Sequence, residues 1–149
     1  MMLAAILKII ERDIDKLSFE IEQFHKEENL WVTKGGITNS SGNLCMHLIG
    51  NLKTYIGKNI GQFPYQRDRE FEFTCRNIPK SKLLEEIQET KQIIIISLSN
   101  MDPDILDQPY IEDVLGFEMT NTYFLIHLTT HLSYHLGQIN YLRRMLEIN

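Results

Sequence analysis

Two histidines, His131 and His135, lie four residues apart in a C-terminal segment whose apolar residues repeat at helical intervals. Residues four apart on an α-helix lie one above the other on the same face, so the two rings can approach a single atom. Histidine is the commonest metal-binding side chain, and a transition metal ion is the atom that two imidazoles most often share. The spacing therefore indicates metal chemistry.

The two histidines interrupt a stripe that the sequence predicts to face a helical core. Its members are spaced by 4, 3, 4, 3, 4 and 3 residues: Phe124, Leu128, His131, His135, Gln138, Leu142 and Met145. This spacing is typical of a core-facing helix, but the middle layer here consists of imidazole and amide groups. Polar groups in a core are unfavourable unless a partner satisfies them, and a metal ion would be such a partner.

A metal site needs a third donor, because two imidazoles from one helix do not complete it. His47 is the best candidate among the five histidines, since it lies on the predicted inward side of another helix with Asn51 one turn further on. Three imidazoles would leave coordination positions open, as in catalytic zinc sites. Zinc, nickel, iron and copper all accept imidazole, so the ligand type leaves the metal open.

His127 forms a rival pair with His131, also four residues apart. His127 and His135 cannot easily join one ion, because eight residues correspond to about 12 Å of helix rise and a rotation of roughly 80°. The stripe places His127 at its edge, so we expect this histidine to support a ligand or to pack between helices. The alternative for all these histidines is a hydrogen-bonded core without metal.

Four segments with helical periodicity would position these residues within a single domain, residues 1–149. Their predicted ranges are Leu3 to Phe24, Ser40 or Ser41 to about Asn59, Ser81 to the connection at Asn100, and Thr120 or Asn121 to the C-terminus. Each of the last three begins at or near a Ser, Thr or Asn residue that can cap a helix. The pattern predicts an all-α fold, a four-helix bundle whose long connecting loops are functional candidates.

Composition excludes several classes of partner. The formal net charge of −5 argues against nucleic acid, whose partners normally present a basic face. No apolar run approaches the roughly 20 residues of a membrane-spanning helix, and the first residues look like a helix rather than a signal peptide. Cys45 and Cys75 fall in no paired motif and are expected to be buried free thiols. The sequence predicts a soluble, cytoplasmic protein.

The residues around the histidines resemble the DinB/YfiT-like family of bacterial four-helix proteins. The likeness lies in a histidine followed four residues later by His-Leu-Gly-Gln-Ile at residues 135–139, and in His47 near the start of the second helix. In that family, three histidines at these places ligate one divalent metal at an end of the bundle. The resemblance therefore implies that His47, His131 and His135 are metal ligands.

The resemblance also implies a class of function. Characterised members of the wider family are thiol-dependent S-transferases and a mycothiol-dependent isomerase. We therefore expect one divalent transition metal, zinc or nickel first and iron next, and a low-molecular-weight thiol cosubstrate that the metal would deprotonate. A hydrolase that uses metal-activated water and a non-catalytic metal-binding or interaction bundle are the alternatives. Relatives in the family dimerise, which implies a homodimer.

Four further residues are candidates for supporting roles. Asn51 and Gln138 lie about one helical turn from proposed ligands, where they could orient an imidazole ring or form ordinary hydrogen bonds between helices. Arg67 and Arg69, in the connection after the second helix, could bind an anionic substrate or a cosubstrate carboxylate. The alternative for the arginines is a solvated ion pair with the acidic residues next to them.

Overall fold

The fold is all-helical in the computed structural model, which describes residues 1–148. Five α-helices occur in this range: α1 (Met2–Glu22), α2 (Ser41–Leu52), α3 (Arg69–Thr74), α4 (Lys80–Ser99) and α5 (Asn121–Leu146). The all-α class predicted from the sequence is confirmed; Asn149, the last residue of the predicted domain, lies outside the described residues. Within residues 1–148, no helix combines the length and the apolar content needed to cross a bilayer.

The four longer helices bury their apolar faces against one another. α1 packs against α4 and α5, and α2 packs against α3, α4 and α5. Their shared core includes the fully buried side chains of Ile10, Ile14, Ile21, Leu48, Leu52, Ile87, Ile94, Leu128 and Leu132. Burial of each such side chain contributes about 1.5–3 kcal/mol relative to exposure. Cys45 and Cys75 are free and buried, as the sequence predicts.

The buried face of α5 is rotated from the predicted stripe. Its buried residues are Asn121, Phe124, Leu125, Leu128, Leu132, Leu136, Ile139 and Leu142. Gln138 and Met145 are exposed, and His131 and His135 are only half-buried, so the prediction that these four face the core is wrong. Two stripes with helical spacing run side by side on α5, and the more apolar one is buried. The two histidines consequently lie at the edge of the core.

The end of α2 changes its winding. The helix continues directly into a π-helical turn at Lys53–Lys58, close to the predicted end of the second helix. The buried Lys53 amino group donates to Glu86 Oε2 at 2.9 Å and to Glu89 Oε2 at 2.6 Å, both on α4. Single π-helical turns are frequent at functional sites, and Tyr55 in this turn lines the cavity described below.

Replacing Lys53 by methionine should destabilise the protein by about 1–2 kcal/mol at neutral pH, less than for a fully buried pair because both glutamates reach solvent. Burial alone would raise the pKa of Glu86, but hydrogen bonds from Lys53 and Lys82 lower it. A carboxylate whose pKa is lower in the folded state than in the unfolded state stabilises the fold at pH values above its unfolded-state pKa. This contribution is lost as the pH falls through its folded-state pKa. The difference in the free energy of unfolding between Lys53→Met and the wild type should therefore become smaller at acidic pH.

Urea unfolding at neutral and acidic pH measures this difference. Lys82→Met is the matched control, because Lys82 is half-exposed and also contacts Glu86, at 3.3 Å. We expect Lys82→Met to change stability much less than Lys53→Met does, because solvent screens an exposed ion pair. An equal loss from the two variants would mean that the contacts of Lys53 stabilise the π turn no more than a surface ion pair does.

Candidate metal centre

The three histidines singled out in the sequence lie together between α2 and α5. One nitrogen of each of His47, His131 and His135 lies within 4.8 Å of the corresponding atoms of the other two. The Nε2 atoms of His47 and His131 are 3.2 Å apart, and the ring centroids of His131 and His135 are 4.6 Å apart. The pair on α5 therefore meets a third imidazole from a helix distant in sequence.

A buried carboxylate orients the His47 ring. Its Nδ1 lies 3.0 Å from Oε1 of Glu72, a residue that is only 3% exposed. Because an ionised carboxylate can only accept hydrogen bonds, Nδ1 carries the proton and Nε2 keeps its lone pair. This arrangement, in which the second ring nitrogen donates to a carboxylate, is typical of histidines that bind metal ions.

Arg67 keeps the Glu72 carboxylate ionised. The Nε of Arg67 donates to Oε2 of Glu72 at 2.8 Å, and its Nη2 donates to Oε1 at 2.9 Å. Burial alone would raise the pKa of Glu72, but the hydrogen bonds from His47 and Arg67 lower it below its ordinary value. Arg67, predicted to bind a substrate anion or a neighbouring acidic residue, instead forms a two-pronged pair with Glu72 and acts through it on His47.

Glu72 is the site residue that sequence reasoning misses. It lies on α3, a six-residue helix inside a segment predicted as a connection. Asp68 caps that helix by accepting a hydrogen bond from the Phe71 N–H at 2.9 Å, and an aspartate in this place is the one sequence signal for a helix start here. No local pattern pairs Glu72 with His47, 25 residues earlier.

Capping and one glycine place α3 against α2. Ser40 caps α2 by accepting from the Asn43 N–H at 3.2 Å. The Asn43 side chain then donates to the carbonyl oxygens of Glu72 at 3.0 Å and Cys75 at 2.9 Å, on and just after α3. Gly50 lets the carboxylate approach α2, since a Cβ at residue 50 would overlap Oε2 of Glu72. The position of Glu72 thus depends on contacts from both ends of α2.

Gln138 orients the second imidazole. Its Oε1 lies 2.7 Å from Nδ1 of His135, so the amide oxygen accepts the Nδ1 proton and Nε2 of His135 keeps its lone pair. Burial lowers the pKa of His135, although the hydrogen bond to Gln138 acts in the opposite direction. The contact agrees with the orienting role that the sequence suggests for Gln138.

His131 is the least satisfied member of the cluster. Its Nδ1 is buried without a hydrogen-bond partner among the described residues. Burial, followed by the neighbouring His135 and His47, lowers the pKa of His131 to about 3. The ring is therefore neutral near pH 7, which is the form in which imidazole binds a metal ion.

The three imidazoles fit a metal ion. Metal–nitrogen bonds of 2.0–2.1 Å in a tetrahedral arrangement separate two ligand nitrogens by about 3.3 Å. The Nε2 atoms of His47 and His131 are 3.2 Å apart. His47 and His135 both use Nδ1 for hydrogen bonds, so their Nε2 lone pairs are available to an ion. The donor set, the distance between two of its nitrogens and the tautomers of His47 and His135 therefore suit a metal ion.

A cavity of about 520 Å³ opens beside His47 and His131. Its other lining residues come from α2, the π-helical turn, the start of α3, α5 and the connections next to them: Asn51, Tyr55, Arg67, Arg69, Val114, Leu115, Phe124, His127 and Leu128. His127 lies outside the three-histidine cluster, and its ring stacks on Phe124 with centroids 5.8 Å apart. His127 therefore belongs to the cavity wall, as its place at the edge of the predicted stripe suggests.

Comparison with known proteins returns a family rather than an activity. The model of a family described as "Protein of unknown function (DUF1572)" matches residues 3–149. A search of curated proteins finds no match. The chemistry of the site is therefore argued from its own geometry.

Proposed function

The chain belongs to the family described as protein of unknown function (DUF1572), and we propose that it is a divalent-metal-dependent enzyme acting on a small molecule. One observation carries the proposal: three histidine nitrogens within 4.8 Å of one another lie beside a cavity of about 520 Å³. Structural zinc sites are closed by four protein ligands, whereas catalytic sites have three and keep an open position. Three imidazoles next to an accessible space support the catalytic alternative.

The resemblance to DinB/YfiT-like proteins supports the same proposal. The order of α1, α2, α4 and α5 suits a four-helix bundle with long connections, and we assign the chain to that architecture as part of the proposal. We assign the metal ligands to His47, His131 and His135. Zinc and nickel are the first candidates and iron the next, because all of them accept imidazole.

We propose thiol S-transfer as the reaction, with a low-molecular-weight thiol as cosubstrate. A divalent ion bound here would lower the pKa of a thiol and supply thiolate at neutral pH. Glu72 is paired with Arg67, so the carboxylate that contacts the cluster does not present an uncompensated negative charge to the thiolate. Arg69 adds a positive charge to the cavity wall, which would favour an anionic sulfur, while Phe124 and Leu128 make part of that wall apolar.

Turnover of an electrophile tests this proposal. Untagged protein loaded with zinc or nickel is mixed with 1-chloro-2,4-dinitrobenzene and one of several small thiols, and thioether formation is followed by absorbance. The sulfur–carbon bond forms, the carbon–chlorine bond breaks and chloride leaves. We expect thiol-dependent turnover above the uncatalysed rate. His47→Ala should remove it, and His25→Ala, at an exposed histidine outside the cluster, should retain it.

Other outcomes favour the rival functions. Metal-dependent hydrolysis of p-nitrophenyl acetate that needs no thiol would favour metal-activated water. About one bound ion per chain without turnover of either kind would favour a non-catalytic metal-binding or interaction bundle. Either result would contradict thiol transfer.

Partners and location stay predictions. The resemblance implies a homodimer, and the exposed side chains of Tyr134 and Tyr141 on the outer face of α5 offer apolar surface for one. A cytoplasmic location, without nucleic-acid or membrane partners, is the expectation from charge and composition.

A further inference from the structure

The cavity beside the histidine cluster has an unusual charge for this chain. The whole protein carries a formal net charge of −5. The charged residues that line the cavity are nevertheless two arginines, Arg67 and Arg69, and no aspartate or glutamate belongs to its described lining. An acidic protein that presents only positive side chains in one cavity has the electrostatics expected for an anionic ligand.

The two arginines differ in what they are free to bind. Arg67 is engaged by Glu72 through two hydrogen bonds, of 2.8 and 2.9 Å. Arg69 is exposed, and it forms no ion pair with any acidic group in residues 1–148. Its guanidinium carbon lies 5.5 Å from the centroid of the Phe73 ring, a stacking contact that orients the group without using its N–H donors. Arg69 is therefore the guanidinium with donors to offer.

A second observation points to a ligand in the same cavity. Asn51 lines it and is 93% buried, with 7% of its surface exposed. Its Oδ1 has no hydrogen-bond partner among the described residues. A buried amide oxygen without a partner is unfavourable, and a bound molecule with an N–H or O–H group would satisfy it. Asn51, proposed from the sequence to orient a ligand ring, thus lines the cavity with an unpaired hydrogen-bond acceptor.

The other residues that line the cavity restrict the chemistry of the anion that it can bind. Val114, Leu115, Phe124 and Leu128 contribute apolar side chains to it. Binding sites for small molecules commonly combine such apolar walls with a few polar groups that fix orientation. We propose that this cavity binds a small organic carboxylate with an apolar body and a hydroxyl or amine group, its charge paired with Arg69 and its N–H or O–H donating to Asn51. The inference rests on the proposed function, since it names the substrate class of that site.

Matched acid and alcohol probes test the subsite. The full chain is titrated with 3-phenyllactate and with 3-phenylpropane-1,2-diol, which both carry a hydroxyl group that can donate to Asn51, and binding is followed by ligand-observed NMR on metal-loaded and chelator-treated protein. We expect the acid to bind about 10-fold or more tightly than the alcohol, as for a hydrogen bond to a charged group. Arg69→Met should remove the preference at unchanged metal content, and Arg69→Lys should keep part of it.

Arg144→Met is the matched control. Arg144 is also an exposed arginine above an aromatic ring, 5.8 Å from the centroid of Tyr141, but it does not line the cavity. This variant should keep the full preference for the acid. Equal affinities of acid and alcohol for the wild type, or no binding of either at millimolar concentration, would overturn the proposal.

Two further outcomes separate this inference from the proposed function. A preference that survives Arg69→Met but disappears in chelator would place the carboxylate on the metal, which overturns the pairing with Arg69 and leaves the metal site intact. An intact preference in protein that takes up no metal would leave the anion subsite standing and contradict the metalloenzyme.

Discussion

His135→Ala should remove stable binding of a divalent ion, lowering metal content from about one ion per chain to nearly none. The variant deletes one of three nitrogens that lie within 4.8 Å of one another. Loss of a residue that only orients a ligand typically reduces metal affinity about 10–100-fold, and loss of the ligand itself should exceed that. Elemental mass spectrometry on untagged protein, dialysed against the metal and then against buffer, measures the content.

The matched control is His127→Ala. His127 lies on the same helix, two steps of the i, i+4 series before His135, and is half-buried like His135. It stacks on Phe124 and does not belong to the three-histidine cluster. This variant should keep about one ion per chain. Loss of metal from both variants, or from neither, would contradict the assignment of the ligands.

The thermal stability of wild type and His135→Ala should also reveal the loss of metal binding, without a measurement of metal content. An ion present at 100 times its dissociation constant stabilises the folded state by about 2.7 kcal/mol. Wild type should gain this increment between chelator and metal-containing buffer, and His135→Ala should not. Thermal unfolding in the two buffers measures the gain. If His135→Ala loses the same stability in both, its imidazole serves packing rather than a metal.

The helices and the histidine cluster could be predicted because their signals are local. Apolar periodicity places the four longer helices close to their observed bounds, and the four-residue spacing of His131 and His135 makes convergence a property of one helix. The prediction of His47 as the third ligand depends only on the second helix having its polar residues on the inward face. Both His47 and Asn51 are indeed buried on α2. Each of these inferences uses residues within a few turns of each other.

The partners of the cluster could not be predicted, because they depend on contacts between distant segments. Glu72 reaches His47 only after the connection that follows α2 folds back and forms α3. The buried face of α5 could not be predicted correctly for a related reason. Two neighbouring stripes satisfy the same helical spacing, and only the packing of α1 and α2 against α5 decides which one is buried. The cavity beside His131 follows from that rotation.

Gly50→Ala should destabilise the protein and weaken metal binding together, although it lies outside the cluster. A Cβ at residue 50 would overlap Oε2 of Glu72, and the nearest atoms that it would meet all belong to that side chain. Overpacking of this kind costs about 1–3 kcal/mol, and breaking the buried pair of Glu72 with Arg67 would add to it. Because Glu72 orients His47, metal affinity should fall about 10–100-fold.

Gly137→Ala separates this effect from the loss of a glycine in a helix. A Cβ at residue 137 meets nothing within 4 Å, so the change should stabilise α5 by about 0.5–1 kcal/mol through helix propensity. Urea unfolding in chelator measures stability, and competition with a chromophoric chelator measures metal affinity. If Gly50→Ala behaves like Gly137→Ala in both, Glu72 does not pack against α2.

A double-mutant cycle assigns the effect of Gly50→Ala to one carboxylate. In a Glu72→Ala background the overlapping atoms are gone, so adding Gly50→Ala should no longer destabilise the protein and should stabilise it by about 0.5–1 kcal/mol through helix propensity. The coupling between the two positions should then be at least as large as the effect of Gly50→Ala in the wild type. The cycle would thereby show that Gly50 acts through Glu72, because the space that the glycine leaves is occupied by the carboxylate that selects the tautomer of His47.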